Sequence, residues 1–280
     1  MSNVDPTRTT VLRRRFSAQM NKRFRRLRGL IRDAIVAKDV LALKHPKPLQ
    51  LIERRAFEFT TKPEKVVQFK KWLQQQVDAE ILTVNYKGEP WTNEYISSSY
   101  KKATIQSYVN VHKADLAQGE EFYKGSESRF LQEAFTAPES VEKLKLLQIR
   151  AFEELKGVTS SMSQQIGRVL AEGMAHGEAP ETISRQMNNV VGKINRTRAR
   201  AIARTEIIRA HAEGSLNAYE KLGIKELGLM VEWSTAAGAC ERCLSMAAGS
   251  PYTVKQARGL IPAHVNCKCS WVPAQKKKRN

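Results

Sequence analysis

All four cysteines of the 280-residue chain fall between positions 240 and 269, in two groups. The first is Cys240-Glu-Arg-Cys243 and the second is His264-Val-Asn-Cys267-Lys-Cys269. Two ligands three residues apart can grip one tetrahedral zinc ion, and a second group across a loop completes the shell. Five sulfur or nitrogen donors thus compete for four positions. Cys240, Cys243 and His264 take three of them, with Cys267 or Cys269 as the fourth. Those two point to the same side of an extended strand, so spacing does not choose between them. The competing readings are reduced thiols beside a surface histidine, or a disulfide. A reducing cytosol disfavours the disulfide, and the clustering of every cysteine in one short stretch argues for metal. Four protein ligands leave no position for water, so the expected Zn2+ is structural and not catalytic. Such a site can contribute on the order of 10 kcal/mol of apparent folding free energy to a cap with little core.

A second chemical signal is Arg200-Ala-Ile-Ala-Arg204-Thr205-Glu206-Ile-Ile-Arg209-Ala-His211. On a helix, Ala201, Arg204 and Ile208 share one face while Thr205 and Arg209 share the next. Glu206 has Arg209 at i+3 as its only local charge partner. Taken alone this is an ordinary charged helix. No catalytic constellation accompanies it: the chain has no Gly-rich phosphate loop, no His-Glu-x-x-His and no Gly-x-Ser-x-Gly. His45, His112, His176 and His211 are scattered, and each reads as a surface or core histidine. The acids are spread along helices, where i,i+4 pairing explains them. The expectation is a protein that is not an enzyme.

The elements that carry these motifs are mostly helical. Asp5-Pro6 reads as an N-cap followed by proline at the first helical position. Beyond it Leu12, Phe16, Met20, Phe24, Leu27, Ile31 and Ile35 recur every three or four residues, one helix face. That helix should end before His45-Pro46-Lys47-Pro48. A second runs from Pro63 to Leu82, before the break at Lys87-Gly88-Glu89-Pro90, and a third from Thr92-Asn93 towards Leu116. Val141 to Leu155 has heptad-like apolar spacing, with Gly157 as its cap. Thr159 or Ser160 then caps a helix that stops at His176-Gly177, a left-handed glycine terminus. Pro180-Glu181 opens a short helix ending near Gly192, and the longest helix runs from Ile194 to Leu222 and stops at Gly223. There the period changes. Leu229, Val231 and Trp233 alternate with Met230, Glu232 and Ser234 as in a half-buried strand, and Ser270-Trp271-Val272 is a second strand candidate. The fold class expected is mostly α: an elongated helical body with a small C-terminal α+β cap stapled by zinc.

Charge is concentrated at the ends. Lys and Arg outnumber Asp and Glu by 47 to 28, a net charge of +19 with a pI near 9.9. Residues 1–55 carry +11 and Lys276-Lys277-Lys278-Arg279 carry +4, which leaves +4 for everything between. Such a balance points to polyanionic partners and says nothing about fold. A hydrophobic content of 41% is too high for wholesale disorder. No apolar run approaches the ~18 residues of a membrane span, and the basic N-terminus lacks the apolar core of a signal peptide. The expectation is a soluble intracellular or virion-type protein. The first helix carries Arg13, Arg14, Arg15, Arg23, Arg25 and Arg26 around its apolar stripe. As a membrane-surface helix it is poorly equipped, since the stripe is narrow and lacks tryptophan. It reads better as a solvated face, or as a surface for phosphates or for an acidic protein. Contact to DNA would be through the backbone, without sequence readout.

Taken together, Ala203-Arg204-Thr205-Glu206, a helix end, Trp233-Ser-Thr, Cys240-x-x-Cys243 and Pro262-Ala-His264-Val-Asn266-Cys267-Lys-Cys269 resemble the phage Mu F-like head morphogenesis family of minor head proteins. In that family a helical Ala-Arg-Thr-Glu segment precedes a cysteine pair and a proline–histidine–asparagine–cysteine–basic–cysteine ending. The resemblance covers residues 141–273. Arg204, Thr205, Glu206, Cys240, Cys243, His264, Cys267 and Cys269 match position by position. Trp91-Thr-Asn-Glu-Tyr95-Ile and Tyr100-Lys-Lys are more weakly similar to the N-terminal half of such proteins. One departure stands out: the family has an aspartate shortly before the first cysteine, where this chain reads Ala236-Ala237-Gly238-Ala239.

The resemblance implies a structural minor head protein of a tailed bacteriophage, acting in capsid assembly at the portal or head interior. It would be located in the virion head, in the capsid interior or at the portal vertex, and in the host cytoplasm during assembly. Implied partners are the portal protein, a major capsid or scaffolding protein, and phage DNA bound non-specifically, with no membrane. The rival from another class is a zinc-containing DNA-binding regulatory protein built on the same basic segments; sequence-selective binding to a defined duplex site would favour it. The organisation expected is a basic amphipathic helical segment over 1–50, a helical domain over 51–140, the helical part of the Mu F-like region over 141–228, a zinc-binding α+β cap over 229–275, and a basic tail over 276–280.

Overall fold

The computed structural model describes residues 5–41, 43, 63–113, 123, 125–223 and 230–274. In chain order the elements are α1 (Thr10–Arg32) with a π-helical turn Asp33–Ala37, α2 (Pro63–Glu80), α3 (Asn93–Lys113), α4 (Glu127–Thr136) and α5 (Pro138–Ala175). They continue with α6 (Pro180–Ile194), a second π-helical turn Asn195–Ala199, α7 (Arg200–Lys221), β1 (Met230–Ser234), α8 (Glu241–Ala248), α9 (Val254–Ala257) and β2 (Ser270–Ala274). The mostly helical class and the small C-terminal cap are those expected. The helix end at His45-Pro46-Lys47-Pro48, the continuation to Leu116, Leu229 and the basic tail lie outside the described residues.

The 3.6-residue period of α1 is realised in its burial. Phe16, Met20, Phe24, Leu27, Ile31 and Ile35 are all buried. The helix starts later than Asp5-Pro6, however, at Thr10. Asp5 does not cap it; its carboxylate accepts from Thr7 N at 3.2 Å and from Arg13 Nη2 at 2.7 Å. Those side-chain bonds fold residues 5–9 into a turn ahead of the helix, in which Arg8 is left-handed with φ 51°.

Two further expectations are corrected. Residues 138–175 form one continuous helix, so neither Gly157 nor Thr159 and Ser160 ends a segment. A helix-interior glycine costs about 1 kcal/mol relative to alanine, which the packing of a 38-residue helix readily offsets. Thr159 turns its hydroxyl back on the carbonyl of Lys156 at 2.9 Å instead of capping forward. This makes α5 longer than the expected Ile194–Leu222 helix, whose first residues belong to α6 and the π-helical turn. The helix ends at Gly177 (φ 63°) and Gly223 (φ 81°) are left-handed, and Pro180 occupies the first turn of α6, as the sequence indicates.

By Cα proximity the chain divides into two compact units. One comprises Ser17–Trp91 and Phe152–Arg200; its buried side chains include Phe24, Leu73, Val77, Ile166 and Met187. The other comprises Met1–Phe16, Thr92–Ala151 and Ala201–Asn280, and holds the candidate site. Its core runs without interruption from Val111 and Phe130, through Ile208, Leu216 and Tyr219 on α7, to Trp233, Cys243, Cys267 and Trp271 in the cap. Within it α7 approaches α3 closely at Gly214, where a Cβ would stand 2.7 Å from the Tyr100 carbonyl oxygen. The approach is fixed by buried bonds from Ser99 Oγ to the Ile207 carbonyl and from Asn217 Nδ2 to Tyr100 Oη, both 2.7 Å.

The cap is a two-stranded antiparallel sheet in which Trp233 faces Trp271. Their rings meet edge to face at 5.3 Å and 83°, a favoured geometry for aromatic pairs. Val231 also exchanges both backbone hydrogen bonds with Tyr252, at 2.8 Å each, which fastens the segment after α8 to β1.

Candidate metal centre

The cap brings all five expected donors together from two directions. A turn with Gly238 at φ 70° and Ala239 N bonded to Ala236 O at 3.1 Å delivers Cys240 to the N-cap position of α8. One helical turn later Cys243 points inward and is 1% exposed. From the other side, the loop after α9 carries His264, turns through Asn266 with φ 67°, and closes with Cys267 N donating to His264 O at 3.1 Å. Asparagine is one of the few residues other than glycine that adopts this left-handed conformation at modest cost. Cys267 then points into the core, and Cys269 follows on the same side as the chain enters β2, at 1% and 2% exposure respectively.

His264 Nε2 lies 3.3 Å from Cys240 Sγ and 3.1 Å from Cys243 Sγ, and Cys243 Sγ lies 3.9 Å from Cys267 Sγ. Zinc bond lengths of about 2.3 Å to sulfur and 2.0 Å to nitrogen give tetrahedral edges of roughly 3.8 Å for S···S and 3.5 Å for S···N. The spacing therefore fits one small cation. The donor atoms form two triads, Cys240–Cys243–His264 and Cys243–Cys267–Cys269, each drawn together within 4.8 Å and sharing Cys243. His264 Nδ1 lies 2.8 Å from the Val265 carbonyl, which keeps that nitrogen protonated and leaves the Nε2 lone pair facing the sulfurs. Histidines that bind metal are oriented in this way. All four cysteines are free of disulfides.

The electrostatics of the sulfurs also suit a cation. The amide of Cys243, at the start of α8, lowers the Cys240 thiol below its ordinary pKa. Cys269 donates to Cys267 and pulls that thiol down to about 5, while Cys269 itself is raised by the same bond and by burial. Burial, and then the charge of Cys267, push Cys243 up to about 12. Several thiolates cannot share this space unaided, and a divalent ion removes that conflict because its ligands bind deprotonated. The cluster is thus one that can hold a metal. Two supports were not legible in the sequence: the Ala236 amide, which donates to Cys269, and the Trp233 indole beside the same sulfur. The first lies in the Ala236–Ala239 turn that stands where the resembling family carries its aspartate.

The helical motif touches this loop. Arg204 Nη1 donates to Asn266 Oδ1 at 3.2 Å. Glu206 is buried at 4% exposure, with Arg209 Nε at 3.4 Å and Arg150 Nε at 3.5 Å. Arg209 is the i+3 partner read from the sequence; Arg150, from α5, is not visible there. Thr205 Oγ1 is buried and has no hydrogen-bond partner among the described residues.

The six arginines assigned to DNA contact do not form a single class. Arg14, Arg15, Arg25 and Arg26 are exposed, Arg26 lying 3.6 Å from Glu80. Arg13 is 8% exposed and bonded to Asp5. Arg23 stacks over Trp91 at 4.2 Å and donates to Glu80 O at 2.9 Å and Thr83 Oγ1 at 2.7 Å. Of the scattered histidines, His112 and His176 are exposed, His211 is buried, and His45 lies outside the described residues. No described helix is long and apolar enough to cross a membrane.

No curated protein and no solved structure matches the chain. A family model does match, over residues 164–272, a span that holds the Arg204–Glu206 helix, the whole cysteine–histidine cluster, β1 and the start of β2. Over these residues the chain is similar to the family described as Phage Mu protein F like protein.

Proposed function

We propose that the protein is a non-enzymatic minor head protein that acts in capsid assembly at the portal vertex or head interior of a tailed phage. The similarity to the Mu F-like family over residues 164–272 suggests phage head morphogenesis, and it is the observation that carries this reading. The geometry of the cap supports a scaffolding role: its donor cluster, exposed at Cys240 but buried at Cys243, Cys267 and Cys269, is continuous with a hydrophobic core, and four protein ligands would leave no position for a reacting water. Cys240, Cys243, His264 and Cys267 are the proposed ligands of a structural Zn2+. Cys243 belongs to both triads, and Cys267 lies 3.9 Å from it. Cys269 then acts as the hydrogen-bonding neighbour of Cys267. The exposed arginines of α1 are proposed to meet packaged DNA through its phosphates, and the portal protein and a capsid or scaffolding protein are the proposed protein partners.

The test is location. Heads and procapsids purified from infected cells should contain the protein, and removing its gene should leave heads unassembled or aberrant. Its absence from particles, combined with sequence-selective duplex binding by the purified chain, would transfer the assignment to a DNA-binding regulator.

A further inference from the structure

Two stretches of one compact unit carry no acid at all. Residues 17–32 of α1 hold six Lys and Arg, and residues 182–200 hold Arg185, Lys193, Arg196, Arg198 and Arg200. The fold sets these stretches side by side. Asn195 Nδ2 and Arg200 Nε both donate to Asn21 Oδ1, at 3.0 and 2.9 Å. Asn21, Arg25, Arg28 and Arg32 recur at i, i+4, i+7 and i+11, so the face of α1 that makes this contact is continued by arginines.

Two of these guanidinium groups converge over Gly192, near the end of α6. Arg196 Nη1 and Arg28 Nη1 lie 3.4 and 3.9 Å from the place a Cβ of residue 192 would take, so the two nitrogens are within about 7.5 Å of each other. With no side chain at Gly192, the floor between them is open. Both arginines are exposed. Neither has a carboxylate partner among the described residues, unlike Arg26, which meets Glu80. Like charges held this close repel each other. The π-helical turn Asn195–Ala199 carries Arg196, and such irregular turns recur at functional sites.

We propose that Arg28 and Arg196, over Gly192, form a binding site for backbone phosphates of duplex DNA, flanked by Arg25, Arg32, Lys193 and Arg198. Charge-assisted bonds from guanidinium to phosphate oxygen run to about 2.7–2.9 Å, so one phosphate can meet both groups and offset their repulsion. The composition of the face selects the occupant. Among residues 17–39 and 152–200 there is no exposed large hydrophobic side chain, whereas a docked protein helix needs apolar anchors. For the same reason unpaired bases find no aromatic ring to stack on, which leaves the phosphates of a duplex. Such contacts position a duplex without reading its sequence. The inference rests on the proposed contact between the protein and DNA, and gives it a site centred on two arginines outside the six first assigned to that contact.

The full chain can be tested by fluorescence anisotropy with a labelled duplex of about 30 base pairs and arbitrary sequence, over a salt series. Arg28→Gln with Arg196→Gln should lower affinity at least about tenfold near 0.1 M salt and reduce the salt slope by about 1.8, the share of two phosphate contacts. Lys145→Gln with Lys255→Gln removes the same charge at exposed positions of the other unit. It should change affinity less than about threefold, because distant exposed charges are screened. Arg28→Glu gives Arg196 an internal carboxylate, and should weaken binding further than Arg28→Gln without lowering the melting temperature. An equal loss from the lysine pair would make the effect one of net charge and overturn the site. A lower melting temperature for Arg28→Glu would show a structural role and overturn it too. Full binding by the arginine pair, with binding lost when Arg14, Arg15, Arg25 and Arg26 become Gln, overturns this site and leaves the proposed DNA contact standing. No binding by the parent overturns both. Polyglutamate of the duplex's charge that binds the parent as tightly, with the same loss in the arginine pair, would make the occupant an acidic protein and overturn the assignment to DNA.

Discussion

Arg204 and Asn266, 62 residues apart, are joined by a hydrogen bond of 3.2 Å from the guanidinium to the side-chain amide oxygen. Asn266 is the residue whose left-handed backbone lets the chain reverse between His264 and Cys267. The helix motif and the cysteine motif, separate in the sequence, therefore meet at the bend that aligns two of the donors. Arg204 is exposed, and its task is to hold a loop and not to fill a core.

That link should be measurable. Arg204→Gln and Asn266→Ala should each lower stability, the second by about 1–3 kcal/mol because it combines backbone strain with a lost hydrogen bond. A double-mutant cycle should return a coupling of roughly 0.5–1 kcal/mol. Strict additivity by denaturant unfolding would show that the contact carries no energy.

Metal analysis distinguishes the ligands. The purified chain should carry about one zinc, the stoichiometry of a single four-ligand site. Cys243→Ser and Cys267→Ser should lose it and loosen the cap, while Cys269→Ser should retain it. Elemental analysis showing zinc retained by Cys267→Ser and lost from Cys269→Ser would exchange the roles of those two residues.

His211 should make the protein acid-sensitive. Burial drives its pKa from 6.5 to about 4, against the attraction of Asp5 and with the help of Lys102 and Arg13. Its folded pKa is depressed, so the unfolded chain binds the extra proton first. Stability should therefore be complete above pH 6.5 and fall as pH drops from there to about 4, by on the order of 3 kcal/mol. His211→Gln should flatten that part of a stability profile followed by urea unfolding. An unaltered slope would place the acid sensitivity elsewhere.

The arginines of α1 should separate into two groups. Replacing the exposed Arg14, Arg15, Arg25 and Arg26 by Gln should weaken binding to every DNA sequence alike and reduce the salt slope by about 0.9 per lost contact. Replacing Arg13 or Arg23 should mainly destabilise the fold, because each is bonded internally. Filter binding over a salt series, beside thermal melts, checks both halves. An unchanged salt slope in the fourfold variant would leave these arginines as a solvated face.

The pattern of success in reading the sequence follows the range of the forces involved. The buried stripe of α1 and the two short strands that carry Trp233 and Trp271 were legible because periodicity is local, whereas the pairing of those strands was not. The gathering of the cysteines was legible too, since chelation needs short spacings. The break expected near Gly157 failed because local signals for a helix end are weak against the packing of a long helix. Charge alone could not separate Arg23, stacked on Trp91, from Arg25 beside it in water. Arg150 reaching Glu206, and Arg204 reaching Asn266, are contacts between distant segments, and no local pattern encodes them.

The edge-to-face pair of Trp233 and Trp271 lies in the same core as Cys243 and Cys267. Two indoles fixed at that angle and separation couple their electronic transitions, so the pair gives a circular dichroism signature that depends on the integrity of the cap. The other two tryptophans, Trp72 and Trp91, lie in the other compact unit and supply a constant background. The protein thus contains its own optical gauge of the cap, through which the proposed binding of an ion and the proposed assembly into a larger particle can be tested in real time without attaching a label.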